Sequence, residues 1–226
     1  MKKKEYSLEV GRKTLTVEFN DLADQASGSA MVKYGDTVVL ATAVISKYPR
    51  DNYDFFPLTV DFEEKFYAAG KILGGRFYRR EGRPTDEAVL SGRIVDRTIR
   101  PLFEQHIRHE VQIVITVLSI GEDDPDVLAV LAASLAIGVS NIPWSGPAGV
   151  VRIGKNKEGF LINPTYQERD SENFEGDILA CGKDNSLNMI EVGAKEISEK
   201  DLKEGLALAL KEIERIENFQ ENIIKE

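Results

Sequence analysis

Residues 126–142 read DVLAVLAASLAIGVSNI, a run that is apolar on nearly every side of a helix. A helix that is hydrophobic all round has no polar face to present to water, so it lies inside a protein. The stretch therefore predicts a buried helix around which the rest of the chain is arranged.

On both sides of this helix the sequence predicts β-strands. Residues 7–19 and 28–45 alternate in polarity around turn sequences at Gly11 and Gly35, which is typical of hairpins. Residues 55–62 and 111–120 are rich in β-branched side chains and predict further strands, the second of them inside a sheet. Two more hairpins are expected after the helix, pairing 148–154 with 159–163 and 177–182 with 187–194.

A long C-terminal helix is predicted to begin after Ser198, because apolar residues then recur on one stripe from Leu202 to Ile216. It runs to the last residue without a glycine or proline stop, which favours a chain cut from something longer. Together these elements predict an α+β fold with mixed β-sheets, a buried central helix and a long C-terminal helix.

Composition limits the function. The 226 residues are 42% hydrophobic and 30% charged with a net charge of −9, as in a soluble globular protein. A single cysteine, Cys181, excludes an internal disulfide, and no apolar run suggests a membrane span or signal peptide, so a cytoplasmic location is expected. The negative charge argues against nucleic-acid binding by the whole surface, but not by a local basic patch.

Residues 74–103, GGRFYRREGRPTDEAVLSGRIVDRTIRPLF, form such a patch. Seven arginines face four acidic residues, a local charge of +3. Thr85 is a predicted N-cap of a helix beginning at Asp86, which places Arg93, Arg97 and Arg100 on one face. Pro101 disfavours helical geometry at Arg100, so that residue is expected to leave the face.

Two interpretations of the patch remain open on residues alone. The helix face is either solvated and salt-bridged, with Asp96 pairing with Arg93 or Arg100, or part of a single-strand binding site. The second interpretation gains support from Phe77 and Tyr78 next to Arg79 and Arg80, since rings stack on bases and guanidiniums bind phosphates.

Five segments of the sequence are similar to those of a known protein family: YGDTVVLATAV (34–44), YAAGKI (67–72), FYRREGRPTDE (77–87), DRTIRPLF (96–103) and GPAGVVRIG (146–154). They resemble the first ribonuclease-PH-like domain of bacterial polynucleotide phosphorylases, and the resemblance covers essentially the whole chain, residues 1–226, as one such domain. Residues 74–80 depart from the family pattern, being one residue longer and carrying Tyr78 in place of a second phenylalanine.

The resemblance implies a homotrimeric ring that degrades single-stranded RNA from the 3′ end, uses inorganic phosphate in place of water and releases nucleoside diphosphates. It also implies Mg²⁺, bound by a second domain that this chain lacks. The RNA-binding residues expected from it are Phe77, Tyr78, Arg79, Arg80, Arg83, Arg93, Arg97 and Arg100.

The catalytic residues of the family's second domain are not matched here. Its phosphate-binding hydroxyls correspond to Pro125 and Asp126, and its Asp-Asp-Lys triplet to Ser171, Asp177 and Leu179. We therefore expect no catalytic residue, no metal site and no phosphorolysis by this chain alone. A self-sufficient single-domain enzyme, and a structural ring subunit whose arginines form intersubunit salt bridges, are the alternatives.

Other candidate groups have simpler explanations. Asp123, Asp124 and Asp126 are expected to cap a helix rather than hold a metal. His106 and His109 are expected on the surface. The acidic strand at 61–66 is expected to face solvent, and Cys181 is expected in the core.

Overall fold

The computed structural model of the chain describes residues 3–50, 53–72, 74–75, 77 and 82–226. The first half builds a six-stranded mixed sheet in the order β1-β2-β3-β4-β6-β5. Its strands are β1 (Lys4–Val10), β2 (Lys13–Phe19), β3 (Gly28–Tyr34), β4 (Thr37–Pro49), β5 (Leu58–Glu64) and β6 (His109–Ser119). The pairs are antiparallel except β5 with β6, which run parallel.

Two helices cover one face of this sheet. Helix α1 (Asp86–Ile99) packs on β5, and helix α2 (Pro125–Gly138) packs on β3 and β4; the two helices also contact each other. Every residue of α2 from Val127 to Ile137 is buried, as the apolar run at 126–142 predicts, although the helix ends four residues before that run does.

A second, four-stranded antiparallel sheet follows, in the order β10-β9-β7-β8. Its strands are β7 (Gly149–Asn156), β8 (Gly159–Ile162), β9 (Phe174–Lys183) and β10 (Ser186–Ala194), with a short helix α3 (Tyr166–Arg169) between β8 and β9. Helix α4 (Glu199–Lys225) packs on β7 and β9, and α2 contacts β7 as well. Helix α2 thus lies where the two halves of the chain meet.

The helix caps agree with the sequence. Thr85 accepts the Ala88 N–H at the start of α1, and Ser198 accepts the Asp201 N–H at the start of α4. The buried face of α1 carries Ile94, Val95 and Ile99, opposite its arginines. The predicted α+β class, mixed sheets, central helix and long C-terminal helix are confirmed.

Three local expectations need correction. The strand predicted at 55–62 begins at Leu58 and runs to Glu64. Phe62 in its acidic stretch is buried, not solvent-facing, because it packs under α1 at Gly92. Arg100 stays helical in spite of Pro101, with φ −55° and ψ −42°, because its N–H bonds the Asp96 carbonyl and the chain continues into a tight 3₁₀ turn over 100–102.

Candidate nucleic-acid interface

A groove of about 1220 Å³ is lined by residues of α1 and of β5, the strand on which this helix packs. One wall is the exposed side of α1, and the other is formed by β5 and the turn that follows it at Phe66–Ala69. Residues 82–85, which end at Thr85, the N-cap of α1, also line the groove. The groove therefore runs along the basic face that the sequence predicts for residues 83–100.

The structure brings four of the predicted binding residues together in this groove, namely Arg83, Arg93, Arg97 and Arg100. Arg93 and Arg97 are exposed and lie one helical turn apart on α1. Neither makes an ion pair or side-chain hydrogen bond with another residue that the structure describes. Their guanidinium groups can therefore bind an anionic ligand without first giving up a protein partner.

Arg100 has a different environment from the other three. Its guanidinium pairs with Asp96 at 2.5 Å and donates to the backbone carbonyls of Phe56 and Leu58 at 3.3 and 3.2 Å. It ties the end of α1 to the start of β5. The salt-bridged interpretation of the basic face therefore applies to Arg100, while the ligand-binding interpretation keeps Arg93 and Arg97.

Of the remaining predicted residues, the structure describes only Phe77. Phe77 is 91% exposed, and it does not line the groove. Tyr78, Arg79 and Arg80 fall outside the described residues, so their assignment to RNA binding stays a prediction.

Carboxylates on the strand side of the groove have partners of their own. Glu64 accepts the Thr85 hydroxyl at 3.2 Å, and Asp61 accepts the Gln112 amide at 2.9 Å. Glu63 pairs with Lys65 at 2.7 Å. The groove is thus polar on both walls, and on its helical wall Arg93 and Arg97 have no carboxylate partner among the described residues.

A second cluster of charged groups is buried at the start of α2, away from the groove. The Arg152 guanidinium, only 8% exposed, lies 2.6 Å from Asp177, 3.0 Å from Asp124 and 3.4 Å from Asp126. Arg169 completes the network with Asp124 and Asp177 at 2.5 and 3.4 Å. Burial, followed by repulsion from Asp124, raises the pKa of the Asp126 carboxyl to about 6.

This network explains the acidic residues that the sequence leaves open. Asp124 is the N-cap of α2 and accepts the Asp126 N–H at 3.0 Å, so the capping prediction is confirmed for that residue. Asp123 instead binds Lys13 through both carboxylate oxygens, at 2.6 and 2.7 Å.

The carboxylates of the network do not suit a magnesium ion. Asp124, Asp126 and Asp177 all point at an arginine, which occupies the place where a cation would sit. No group of three or more His, Cys, Asp or Glu residues in the described ranges is arranged to hold a metal. The sequence did not reveal this network, although an arginine inside the otherwise apolar strand at 148–154 is a usable signal for a buried ion pair.

The other candidates are largely where the sequence places them. His106 is exposed beside Glu104, whereas His109 is partly buried with Nδ1 2.8 Å from the Ser46 carbonyl oxygen. Cys181 is fully buried, and burial raises the pKa of its thiol to about 12, so it is a core residue. Among the described residues, no helix is long and apolar enough to cross a membrane.

Comparison with known proteins gives a consistent result. Residues 11–143 match the 3′ exoribonuclease family, domain 1, and residues 146–212 match domain 2 of the same family. The chain is 46% identical to a polyribonucleotide nucleotidyltransferase of Heliobacterium modesticaldum over 97% of its length, and 47% identical to one of Exiguobacterium sibiricum over 98%. It spans only 31% and 30% of those relatives.

The fold is also found in a solved structure of low sequence similarity. The crystal structure of rice (Oryza sativa) Rrp46 superposes with a TM-score of 0.73 at 16% identity, covering 96% of each chain. At that identity the likeness concerns the fold alone.

Proposed function

The chain belongs to the 3′ exoribonuclease family, and on that premise we propose that its groove binds single-stranded RNA for a longer, phosphate-dependent 3′-to-5′ exoribonuclease. In this proposal residues 1–226 form the first ribonuclease-PH-like domain. The chain corresponds to the N-terminal ribonuclease-PH-like region of the polyribonucleotide nucleotidyltransferases, of which it covers about 31%.

The observation that carries the proposal is the pair of exposed arginines on α1. Arg93 and Arg97 face a groove about 1220 Å³ in volume and have no carboxylate partner among the described residues. Four residues of α-helix correspond to a rise of about 6 Å, so each guanidinium can bind a separate phosphate of an extended strand. Arg83 extends the same basic surface beyond the start of the helix.

The reaction proposed for the full protein is phosphorolysis. An oxygen of inorganic phosphate attacks the phosphorus of the terminal phosphodiester, and the bond from that phosphorus to the 3′-oxygen of the preceding nucleotide breaks. The shortened RNA keeps a 3′-hydroxyl, and the last nucleotide is released as a nucleoside diphosphate. The chain's own carboxylates near Asp177 are paired with Arg152 and Arg169, so we place the phosphate pocket and the Mg²⁺ on another part of the full protein. This chain would contribute RNA binding and contacts in a homotrimeric ring in the cytoplasm.

A structural ring subunit is the second candidate. Arg100 shows that an arginine of this face can have a structural role, because it pairs with Asp96 of the same chain. In that case Arg93 and Arg97 would pair with acidic residues of a neighbouring subunit. If the groove binds RNA, loss of these arginines lowers RNA affinity. If the arginines join subunits, their loss weakens the oligomer.

The test is the variant Arg93→Ala/Arg97→Ala in the full-length protein, with binding of a single-stranded oligo(A) measured over a range of salt concentrations. Loss of two phosphate contacts lowers affinity and reduces the slope of log K against log[salt] by about 1.4, since each contact contributes about 0.7.

Lys203→Ala/Lys211→Ala is the matched control, because it removes the same charge from exposed positions on α4. The control should leave the slope unchanged. Loss of the oligomer with unaltered RNA affinity in the arginine variant would refute RNA binding and favour the structural role.

A further inference from the structure

An exposed aromatic residue lines the groove, in addition to the exposed Phe77 beyond it. The turn at Phe66–Ala69 brings two adjacent rings to the surface, Phe66 at 42% exposure and Tyr67 at 56%. Phe66 lines the groove together with Arg93 and Arg97, whereas Tyr67 is not among the described residues that line it. Only the first ring therefore faces the proposed path of the strand.

The backbone holds Phe66 in a fixed place. The Ala68 N–H bonds the Lys65 carbonyl at 2.9 Å, and the Lys71 N–H bonds the Phe66 carbonyl at 3.0 Å. Gly70 ends the turn at φ +65°, a conformation that glycine adopts without strain. The Ala68 carbonyl accepts the Ile120 N–H at 3.0 Å, which anchors the turn to the end of β6.

The partial exposure of Phe66 contrasts with the aromatic residues nearby. Phe56, just before β5, is 1% exposed, and Phe62, within β5, is 4% exposed. Aromatic rings close to Phe66 in the chain are therefore buried in the core. Phe66 instead presents part of its ring to a groove whose opposite wall carries two exposed arginines. An aromatic surface beside guanidinium groups that have no carboxylate partner among the described residues matches what a nucleotide offers, a flat base joined to a phosphate.

We infer that Phe66 is a stacking platform for one base of the strand whose phosphates bind Arg93 and Arg97. The inference rests on the proposed function and adds a requirement to it. Stacking on a side chain needs a base whose face is not covered by a stacked neighbour. A flexible single strand can expose such a face, whereas the interior of a duplex cannot, so the groove selects single-stranded RNA over duplex. Every base has a π-face, so the selection is tolerant of sequence.

The experiment uses the full-length protein with a single-stranded oligo(A) and the same oligo(A) annealed to its complement. Phe66→Ala lowers affinity for the single strand by about 5- to 150-fold, the range for one stacked base, and leaves the salt slope unchanged. Phe66→Trp keeps the affinity, and its added indole fluorescence is quenched when the single strand binds. Tyr67→Ala is the matched control and keeps wild-type affinity, because that ring is outside the groove.

The results separate this inference from the function on which it rests. If Arg93→Ala/Arg97→Ala weakens binding while Phe66→Ala does not, stacking at Phe66 is overturned and the RNA-binding groove stands. If neither variant weakens binding, both are overturned. Equal losses for the single strand and the duplex, or an unquenched Phe66→Trp, would also contradict the platform, even where Phe66→Ala proves too unstable to assay.

Discussion

Replacing Arg152 by methionine tests whether the buried charge network holds the two halves of the chain together. The change keeps much of the length of the side chain but removes the guanidinium that lies within 2.6 to 3.4 Å of Asp177, Asp124 and Asp126. Arg169 still pairs with two of these carboxylates, and Asp126 loses its arginine partner.

The expected loss is large because the carboxylates stay buried. Removing one partner of a buried ion pair costs about 3–5 kcal/mol, mainly through the uncompensated charge that remains. For a chain of this size each kcal/mol lowers the melting temperature by about 2–4 °C, so Arg152→Met should melt roughly 6–20 °C lower. Arg12→Met is the control, because Arg12 is 64% exposed in its pair with Glu168 and such pairs contribute about 1 kcal/mol or less.

Thermal or urea unfolding of the 226-residue chain at pH 7.5 and pH 5 measures the effect. The deficit of Arg152→Met should shrink at pH 5, because protonation of Asp126, whose pKa is about 6 in the folded protein, relieves the repulsion among the carboxylates. A loss no greater than that of Arg12→Met, or an equal loss at both pH values, would refute the electrostatic reasoning.

Three further predictions concern the buried carboxyl, the chemistry and the loop. The Asp126 pKa is raised from 3.8 to about 6, so the folded state holds a proton that the unfolded state has lost between these values. This carboxyl should contribute a loss of up to about 3 kcal/mol in stability as pH rises through that window, and Asp126→Asn should remove that contribution in urea titrations. The 226-residue chain with poly(A), Mg²⁺ and phosphate should release no ADP, and turnover above a protein-free blank would contradict this. In the full-length protein, Arg79→Ala/Arg80→Ala should weaken RNA binding and reduce the salt slope by about 0.7 per contact. Phe77→Ala/Tyr78→Ala should cost about 1–3 kcal/mol per stacked base with the slope kept, and identical behaviour of the two pairs would disprove their separate roles.

The elements of the fold follow from local patterns that the sequence displays directly. The hairpin turns, the caps at Thr85 and Ser198, and the apolar run of α2 depend on neighbours within a few residues, and all appear as predicted. Local patterns do not predict which arginines of α1 are salt-bridged and which are exposed to a ligand. Arg100 bonds carbonyls of Phe56 and Leu58, which are more than 40 positions away in the chain, and no local pattern specifies that contact.

The same limit applies to the charge network and to the aromatic ring of the groove. Arg152 meets Asp124, Asp126 and Asp177 only because β7, β9 and the start of α2 converge. Phe62 and Phe66 lie four residues apart in one short segment, and both line the groove, yet the first is 4% exposed and the second 42%. The two exposures differ because β5 ends at Glu64, so that Phe62 belongs to the strand and Phe66 to the turn after it. Both residues are phenylalanines, so their hydrophobicity alone does not predict which one is buried.

Cross-linking of RNA to the full-length protein is the most direct test of the groove. A single-stranded oligonucleotide carrying photoreactive 4-thiouridine is bound, irradiated and digested, and the attached peptides are identified by mass spectrometry. We expect cross-linked peptides from within residues 58–100, the range that contains the groove-lining residues of β5 and α1. We also expect their loss in the Arg93→Ala/Arg97→Ala variant. Cross-links that fall only outside residues 58–100, or that persist unchanged in the variant, would contradict RNA binding in the groove.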